Sequence, residues 1–579
     1  MPKILINEID RTSAGTPGEY SNNSVLICGF AQRTNEEIIA AVEADPTIGY
    51  TLPDENGVFE FYSYSDFERT IGKVAPVLIE GANVPAHYGN QMAYELLKQG
   101  YPSVIYISLG KVPSTNEDIT KALRKISDAA NWEIFKDRAS YDFRFITHGL
   151  LTSCKTHDIE LAEIAVTEAE KALEEAEAAL EAAEKVLTDA TTELEAAEAA
   201  NEELKASEDY VKTSPEAVAA EKAVAEATKA VGAAEDTVDE AQKAVDVATL
   251  ALNVAEDNLT HATDSPEACF TEKDFADANK AIADLATYIK PGEGDDPYEP
   301  KFGSGRGDCA ALIEIDESKY VNSEGGRPEA KILAAAEEMG DVITGVTGTY
   351  CACTVPSVVY RMTADSDYGN NKKFPGAFHY LACYKRMIDA NFSEWYAAAG
   401  YTRGVASYPI DYTTVKLGEI AIQALEPRYK RGAPYNYAMP FAVNVIANFR
   451  GSYYLWGNRT CHLLGEYAGG NDLTAQHFLN IRQLCTTIKK QLYVSCRRFT
   501  FDPNSDVLWI NFKNSVIPTL DRMKADQGIR DYKIEKVYTD KKATLRARIR
   551  IVPIEAVEDF VIELSLEDSL GEVELTVTE

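Results

Sequence analysis

The sequence predicts an α/β and α+β multi-domain protein with a long inserted antiparallel coiled-coil hairpin and extended terminal β arms. Three observations predict this fold class. Apolar strand-like runs alternate with helix-like segments between Val25 and Met339, which is typical of α/β layers. A heptad pattern interrupts this alternation over residues 158–264. Apolar and polar residues alternate one by one near both ends of the chain, as they do in β-strands.

The composition indicates a folded and strongly acidic protein. The chain has 579 residues, of which 45% are hydrophobic, so it can bury a large core. Its 57 Lys and Arg against 92 Asp and Glu give a net charge of −35, which disfavours binding to a phosphate backbone. The charge is unevenly placed. Residues 158–264 hold 29 acidic and 7 basic side chains. Residues 440–552 hold 9 acidic and 18 basic side chains, and residues 555–579 hold 9 acidic and no basic side chains. We therefore expect different regions to meet different partners.

The sequence also disfavours secretion, membrane insertion and metal binding. Met1–Asp10 lacks a cationic segment followed by a long apolar run, so no signal peptide is expected. No apolar run approaches the ~20 residues of a membrane-spanning helix. The ten cysteines lie mostly in apolar runs, as reduced buried thiols do in cytoplasmic proteins. Cys351 and Cys353 form the only close pair, so we expect no metal site.

The N-terminal half is predicted to alternate strands with helices. Ser65 is expected to cap a helix, with Glu68 completing a capping box, and Gly100 is expected to end the helix that follows. The predicted strands are Val25–Phe30, Phe59–Tyr64, Val104–Leu109, Tyr141–Leu151 and Cys309–Ile315. The predicted helices, apart from the one that Ser65 caps, are Tyr88–Gln99, Glu117–Ala130, Glu272–Ile289 and Glu329–Met339.

The interruption of this pattern consists of two heptad-patterned helices. Bulky residues recur every seven positions, and in nearly every heptad an Ala follows three positions later, which predicts a narrow seam between closely packed helices. The bulky positions are Ile159, Val166, Leu173, Leu180, Leu187 and Leu194, then Val224, Val231, Val238, Val245, Leu252 and Leu259. Ser214 and Pro215 mark the start of the second helix, so the two helices are expected to form an αα-hairpin.

This hairpin is expected to project from the body as a spike. At 1.5 Å per residue, each arm of nearly fifty residues would be about 70 Å long. We consider two roles for it, a solvated spacer and a docking surface for another protein. Its acidic outer face excludes a role in binding nucleic acid or lipid.

The C-terminal third is predicted to mix helices and strands. Three helices are expected, at Asn391–Gly400, Asn471–Tyr493 and Val507–Asp526. A strand at Ala543–Val552 would place apolar residues on one face and arginines on the other. The apolar face carries Leu545, Ala547, Ile549 and Ile551, and the other face carries Arg546, Arg548 and Arg550. Two further alternating runs, Val557–Leu566 and Glu572–Thr578, complete the chain.

We find no motif of catalysis or cofactor binding. The glycine-rich segment Gly303–Gly307 lacks the Lys-Ser/Thr of a phosphate-binding loop and precedes a strand instead of following one. Arg306-Gly307-Asp308 is expected to be a polar turn that enters this strand. No G-x-S-x-G nucleophile elbow occurs, and His148 is expected to be structural. We therefore expect no catalytic residue, no cofactor and no metal.

Five segments of the C-terminal third carry a family resemblance. They are Trp395–Gly400 with Arg403 and Gly404, Tyr454–Thr460, Phe478–Arg482, Phe501–Asn504 with Trp509, and Leu520 with Gly528. In order and spacing they resemble the tail sheath proteins of contractile bacteriophage tails, and residues 29–31, 65–67 and 306–310 resemble the same family more loosely. The main motif residues are Trp456, Gly457, Arg459, Thr460, Arg482, Pro503, Asn504 and Trp509. This chain departs from the family at Gln483, where a second Arg is usual, at Asp502, where Glu is usual, and in carrying the coiled-coil insert.

The resemblance implies a structural protein that is not an enzyme. Sheath subunits form stacked hexameric rings around a tail tube and contract to drive the tube through the host cell envelope during genome delivery. The implied partners are other copies of the chain, the tail tube protein, and the baseplate and tail terminator proteins, without nucleic acid or membrane insertion. The implied location is the virion, as a tail sheath assembled in the host cytoplasm. The alternatives are the sheath of a non-viral injection system, tailocin or type VI-like, and, less favoured, an α/β enzyme.

Together, the patterns and the resemblance predict five units and two functional surfaces. The units are an N-terminal strand-exchange arm (1–20), an outer α/β domain (21–157 and 265–365), the hairpin (158–264), an inner, tube-facing domain (366–552) and a C-terminal strand-exchange arm (553–579). The residues expected to exchange strands between subunits are Ile4, Ile6, Arg546, Arg548, Arg550, Phe560, Ile562 and Leu564. The residues expected to face the tube are Lys489, Lys490, Arg497 and Arg498.

Overall fold

The structure is a computed structural model of the chain. It describes residues 23–78, 85–153, 159–206, 212, 214–264, 270–287, 305–321, 328–343, 345–361, 371–406, 409–418, 443–462, 475–538, 544–554 and 556.

An eight-stranded, mostly parallel sheet forms the centre of the body, in the order β13-β12-β8-β7-β6-β1-β5-β2. Neighbours from β12 to β5 pair in parallel, whereas β13 and β2 pair antiparallel at the two edges. Its strands are β1 (Val25–Ala31), β2 (Val58–Phe61), β5 (Val104–Lys111), β6 (Phe145–Thr147), β7 (Ala310–Ile313), β8 (Cys351–Val355), β12 (Asn444–Phe449) and β13 (Ser452–Trp456). Smaller sheets contain β3 (Val77–Leu78) with β4 (Pro85–His87), and β9 (Val358–Arg361) with β10 (Asn371–Phe374) and β11 (Ile410–Thr413).

Helices cover both faces of this sheet, so the predicted α/β layers are present. Leu26 of β1 packs in one core with α4, α7 and α8, while its neighbour Ile27 packs in a second core with α3 and α9, because successive strand residues point to opposite faces. The helices of the body are α1 (Asn35–Ala44), α2 (Tyr64–Thr70), α3 (Gly89–Lys98), α4 (Asn116–Ser127), α7 (Glu272–Ala286), α8 (Pro328–Val342), α9 (Gly376–Asp389) and α10 (Gly400–Arg403).

The hairpin is the most completely predicted element. Its helices are α5 (Ile159–Ala206) and α6 (Pro215–Asp264), 48 and 50 residues long. Among its described side chains, the predicted bulky and Ala positions are less exposed than the positions between them, with Ala183, Ala234 and Ala248 buried. Ser214 Oγ accepts the backbone N–H of Ala217 at 3.1 Å, which confirms the N-cap.

The last described part of the chain forms a third packing unit. It contains α11 (Leu479–Arg498), α12 (Asp506–Ala525), β14 (Ile529–Val537) and β15 (Arg546–Pro553), with β14 and β15 paired antiparallel in a sheet of their own. Leu545, Ala547, Ile549 and Ile551 pack on its core, as the period-two pattern predicted.

Several predicted boundaries are wrong. Ser63, not Ser65, caps α2, because its side chain is the one that accepts the N–H of Asp66. The strand predicted over 141–151 is confined to β6. Residues 391–399 form turns, and Gly400, at φ 83°, begins a short helix instead of ending one. The boundary predicted between 365 and 366 does not separate two domains, because β12 and β13 continue the central sheet.

Candidate assembly surfaces

The motif segments of the C-terminal third meet in one hydrogen-bonded network. Asn458 Nδ2 donates to Asn480 Oδ1 at 2.7 Å, and the N–H of Asn480 donates back to Asn458 Oδ1 at 3.1 Å. Asn480 Nδ2 in turn donates to the carbonyl of Trp395 at 3.2 Å. The indole Nε1 of Trp395 donates to the carbonyl of Asp526 at 3.0 Å. Four segments that are far apart in sequence therefore hold one another in place.

Two glycines of these motifs allow close approaches. A Cβ on Gly528 would lie 2.8 Å from Trp395 Nε1, so only Gly lets the indole ring lie against the turn after α12. A Cβ on Gly457 would lie 2.8 Å from Asn444 Oδ1, which accepts the N–H of Arg459 at 2.7 Å. The residue types of these motifs thus follow from packing.

The motif arginines stack on aromatic rings. The guanidinium of Arg459 lies 4.8 Å from the ring centre of Phe478, and that of Arg482 lies 4.4 Å from the ring centre of Tyr350. Burial acts to raise the pKa of Tyr350, but Lys489 and Arg482 outweigh it and hold this pKa below its usual value. Arg482 therefore joins α11 to the segment that enters β8.

Lys489 and Lys490 do not form a tube-facing surface, so this part of the prediction is wrong. Lys490 is 3% exposed, and its Nζ donates to Asp142 and, at 2.9 Å, to the carbonyl of Phe143. Lys489 Nζ donates to the carbonyl of Gly307 at 2.8 Å and lies 3.3 Å from the Tyr350 hydroxyl. Both lysines bind α11 to the N-terminal half because they lie on the face of the helix that packs against the body.

Arg306 and Asp308 complete this internal cluster, which the sequence alone did not reveal. Arg306 is 1% exposed, its Nε lies 2.9 Å from Asp308 Oδ1, and its Nη1 donates to the carbonyls of Phe135 and Tyr141. Burial acts to raise the pKa of Asp308, but Arg306 and Lys490 outweigh it and lower the pKa. The predicted polar turn is therefore buried, and its side chains join α11 to the segment before β7.

Further buried ion pairs join the two halves of the chain. Arg144, which precedes β6, pairs with Glu394, and Lys372 of β10 pairs with Glu95 of α3. The members of each pair lie more than two hundred residues apart in the sequence. Each pair joins a segment predicted to belong to the outer domain to one predicted to belong to the inner domain.

The two-stranded sheet β14–β15 presents the arginine face predicted for strand exchange. Arg546, Arg548 and Arg550 lie opposite Val537, Glu535 and Lys533. Arg550 Nη2 lies 3.5 Å from Glu535 Oε2. Only β14 pairs with β15 among the described residues, so the second edge of β15 carries no strand there. Ile4, Ile6, Phe560, Ile562 and Leu564 lie outside the described residues.

The remaining predicted site residues lie at the far end of α11 and beyond it. Arg497 and Arg498 are exposed in the last turn of α11. Pro503 is exposed in the following turn, and Asn504 Nδ2 donates to the carbonyl of Thr544 at 3.4 Å. Trp509 stacks with Phe512 at a centroid distance of 5.9 Å.

Within the described part of the chain, no cluster of His, Cys, Asp and Glu is arranged to hold a metal ion. No helix there is long and apolar enough to cross a membrane. The eight described cysteines are free thiols, and burial raises the pKa of Cys309 to about 12.

Comparison with known proteins gives structural likenesses only. No protein-family model matches the chain, and no curated protein matches its sequence. A chain in a cryo-EM structure of the anti-feeding prophage (AFP) baseplate is similar, with a TM-score of 0.43 and 10% identity over 98% of this chain and 99% of that one. A chain of the PVC sheath complex, an extracellular contractile injection system in the contracted state, has a TM-score of 0.33 and 14% identity over 46% of this chain and 65% of that one.

Proposed function

We propose that the chain is the structural subunit of a contractile tail sheath. Its copies polymerise as stacked hexameric rings around a tail tube and contract to drive the tube through a host cell envelope during genome delivery. The alternative within the same class is the sheath of a non-viral contractile injection system. An α/β enzyme would instead be a compact monomer that uses a pocket.

One observation carries this proposal, namely the network that joins the motif segments. The motifs resemble the sheath family in order and spacing, and four of them meet through Asn458, Asn480 and Trp395. If the motif segments resembled the family only by chance, we would not expect them to contact one another in the folded chain. The network also positions α12 and β14, so it supports the sheet that we propose for contacts between subunits.

The proposed contact between subunits is strand addition to β15. Main-chain hydrogen bonds at a sheet edge can persist while the attached bodies rotate, because they depend on the edge strand and the added strand alone. The acidic segment 557–579 follows β15 directly, and Arg546, Arg548 and Arg550 give its edge a basic face. Opposite charges across strands contribute only about 0.2–1 kcal/mol each, so they favour one register more than they supply affinity.

Negative-stain microscopy of the purified full-length chain tests the proposal. We expect rings or tubes. The variant Arg546→Glu/Arg548→Glu/Arg550→Glu should polymerise only at a higher protein concentration than the parent, whereas the charge-matched control Lys171→Glu/Lys222→Glu/Lys243→Glu, in exposed positions of the hairpin, should polymerise like the parent. A parent chain that stays monomeric at all concentrations and salt conditions would contradict the proposed function.

The proposed tube contact is now restricted to Arg497 and Arg498. Exposed ion pairs are individually weak and screened by salt, which suits a contact that must release during contraction. The variant Arg497→Glu/Arg498→Glu should lose co-sedimentation with the tube protein and still form empty tubes. Unchanged co-sedimentation would remove these two residues from the tube contact.

A further inference from the structure

Large apolar side chains are exposed at the turn from α11 into α12, in the first turns of α12 and just after β14. Phe501 and Tyr538 are 83% and 87% exposed, and Val507 and Ile510 are 65% and 53% exposed. We call these four residues the corner patch. Aromatic residues at this exposure are typical of surfaces that another segment covers.

Two hydrogen bonds join the segments that carry the corner patch. Lys536 Nζ, two residues before Tyr538, lies 2.9 Å from Asp506 Oδ1, which precedes Val507. Asn504 Nδ2 reaches the carbonyl of Thr544 at 3.4 Å, just before β15. These two contacts hold the turn of Phe501 against the adjoining ends of β14 and β15.

The backbone holds Phe501 in an uncommon conformation. Its φ is 76°, in the left-handed region that residues other than Gly seldom adopt. A bulky residue in this conformation is strained. The exposed side chain of Phe501 does not offset this strain by packing within the described body, so a contact of its ring with another segment would explain why Phe stands here.

The surroundings of the corner patch and the end of the chain have opposite charges. The described residues 497–513, 533–538 and 544–550 together carry eight basic and three acidic side chains. Residues 557–579 carry eight acidic and no basic side chains, with ten apolar residues among them. The tail thus offers both chemistries that the corner patch would bind, apolar side chains and negative charge.

The tail is also long enough to reach this surface in its own chain. The corner patch lies at the Arg546 end of β15, and the tail begins beyond the Pro553 end, eight residues away. At about 3.3 Å per residue, β15 is about 26 Å long. The 23 residues of the tail span up to about 75 Å when extended. About half of the tail can therefore run back along β15 and the rest can cover the corner patch.

We propose that the chain's own C-terminal tail, residues 557–579, binds the corner patch in the unassembled subunit. A tethered segment has a high effective concentration, which favours this contact over one with another copy. The consequence rests on the proposed function: a tail held on its own subunit is not available for strand addition to a neighbour. The corner patch would then delay polymerisation until a growing sheath offers the tail a better site.

The test uses a fluorescein-labelled peptide of residues 557–579, titrated by anisotropy into unassembled protein. A chain truncated after residue 556 should bind it saturably, and the full-length chain should bind it at least tenfold more weakly because its own tail fills the site. The variant Phe501→Ser/Ile510→Asn, made in the truncated chain, should also bind at least tenfold more weakly. Val247→Ser/Leu250→Asn, at two exposed apolar positions of the hairpin, is the matched control and should bind like the truncated parent.

Three outcomes would overturn the proposal. One is equally tight binding of the peptide by the full-length and truncated chains. Another is equally tight binding by Phe501→Ser/Ile510→Asn, which would mean that the peptide adds to β15 alone. The third is a full-length dimer in sedimentation that Phe501→Ser/Ile510→Asn dissolves, which would assign the tail to a second copy. Because every measurement is made on unassembled protein, failure here is distinct from failure of the sheath proposal, which microscopy decides.

Discussion

The Nη2 atom of Arg144 lies 2.9 Å from Oε2 of Glu394, 250 residues further along the chain, with both side chains buried. Thr487 Oγ1 and Gln483 Oε1 lie 2.9 and 3.2 Å from the same guanidinium. The amide oxygen of Gln483 thus accepts a hydrogen bond from Arg144, so the buried cation at this contact comes from the residue that precedes β6.

Glu394→Gln should destabilise the protein strongly, because it leaves Arg144 charged and buried without its counter-ion. We expect a loss of about 3–5 kcal/mol in the free energy of unfolding, measured by urea denaturation at pH 7.5. Asp411→Asn is the matched control, since its partner Arg361, at 2.6 Å, has a 71% exposed side chain. The control should lose less than about 1 kcal/mol. Equal losses would show that the Arg144 pair is not the main contact between the two halves.

Gly528→Ala should also destabilise the protein, by about 1–3 kcal/mol, because the new methyl group would overlap the indole of Trp395. Gly232→Ala is the control. A Cβ at Gly232 in α6 meets nothing within 4 Å, so this substitution should stabilise the hairpin by about 0.5–1 kcal/mol. Thermal unfolding followed by circular dichroism measures both effects. A neutral Gly528→Ala would mean that the turn after α12 moves easily away from the ring.

Three buried histidines should make the protein sensitive to acid. Burial lowers the pKa of His87 and His379 to about 3 and that of His148 to about 4, all below the usual 6.5. The unfolded state therefore binds more protons than the folded state below pH 6.5, so this stability is complete above pH 6.5 and falls as the pH drops towards 3. At pH 5 each histidine should cost about 2 kcal/mol.

The histidine effect can be isolated with one substitution. His379→Gln should reduce the loss of unfolding free energy between pH 7.5 and pH 5 by about 2 kcal/mol, whatever it does to stability at pH 7.5. Urea titrations at the two pH values give this difference directly. An unchanged pH dependence would show that His379 does not titrate with a lowered pKa.

Removing the hairpin should leave the body folded. Its described buried side chains are its own seam residues, such as Ala183 and Ala234, so we expect deletion of residues 158–264, with a short Gly linker, to change the body's stability by less than about 1 kcal/mol. Thermal unfolding of the deleted chain measures this. Microscopy of the same protein then separates the two roles considered for the hairpin: normal tubes would make it peripheral, and loss of tubes would place it in the lattice.

The sequence predicts most reliably what depends on neighbours along the chain. The heptads predicted the seam because their periodicity is local, the adjoining Ser214 and Pro215 predicted the cap, and the face of β15 followed from alternation alone. The start of α2 was misplaced by two residues because Ser63 and Ser65 are both suitable caps, and packing decides between them.

The candidate site was harder to predict because its partners are distant in sequence. Lys490 and Arg306 resemble surface residues when only their neighbours are considered. Their burial depends on Asp142 and Asp308, and only the packing of α11 against the sheet brings these groups together. The motif segments were recognised by resemblance, but the bond from Trp395 to Asp526 spans 131 residues and has no local signal.

The regular seam of the hairpin also bears on how its length can change. Seven residues added to each arm would keep every Ala in phase and move the tip outward by about 10 Å, whereas three or four added residues would rotate the seam out of register. Both arms join the body at its base, between β6 and α7, so such an insertion would leave the central sheet untouched. The length of the hairpin can therefore change by one heptad per arm at a time without a change in the body that carries it.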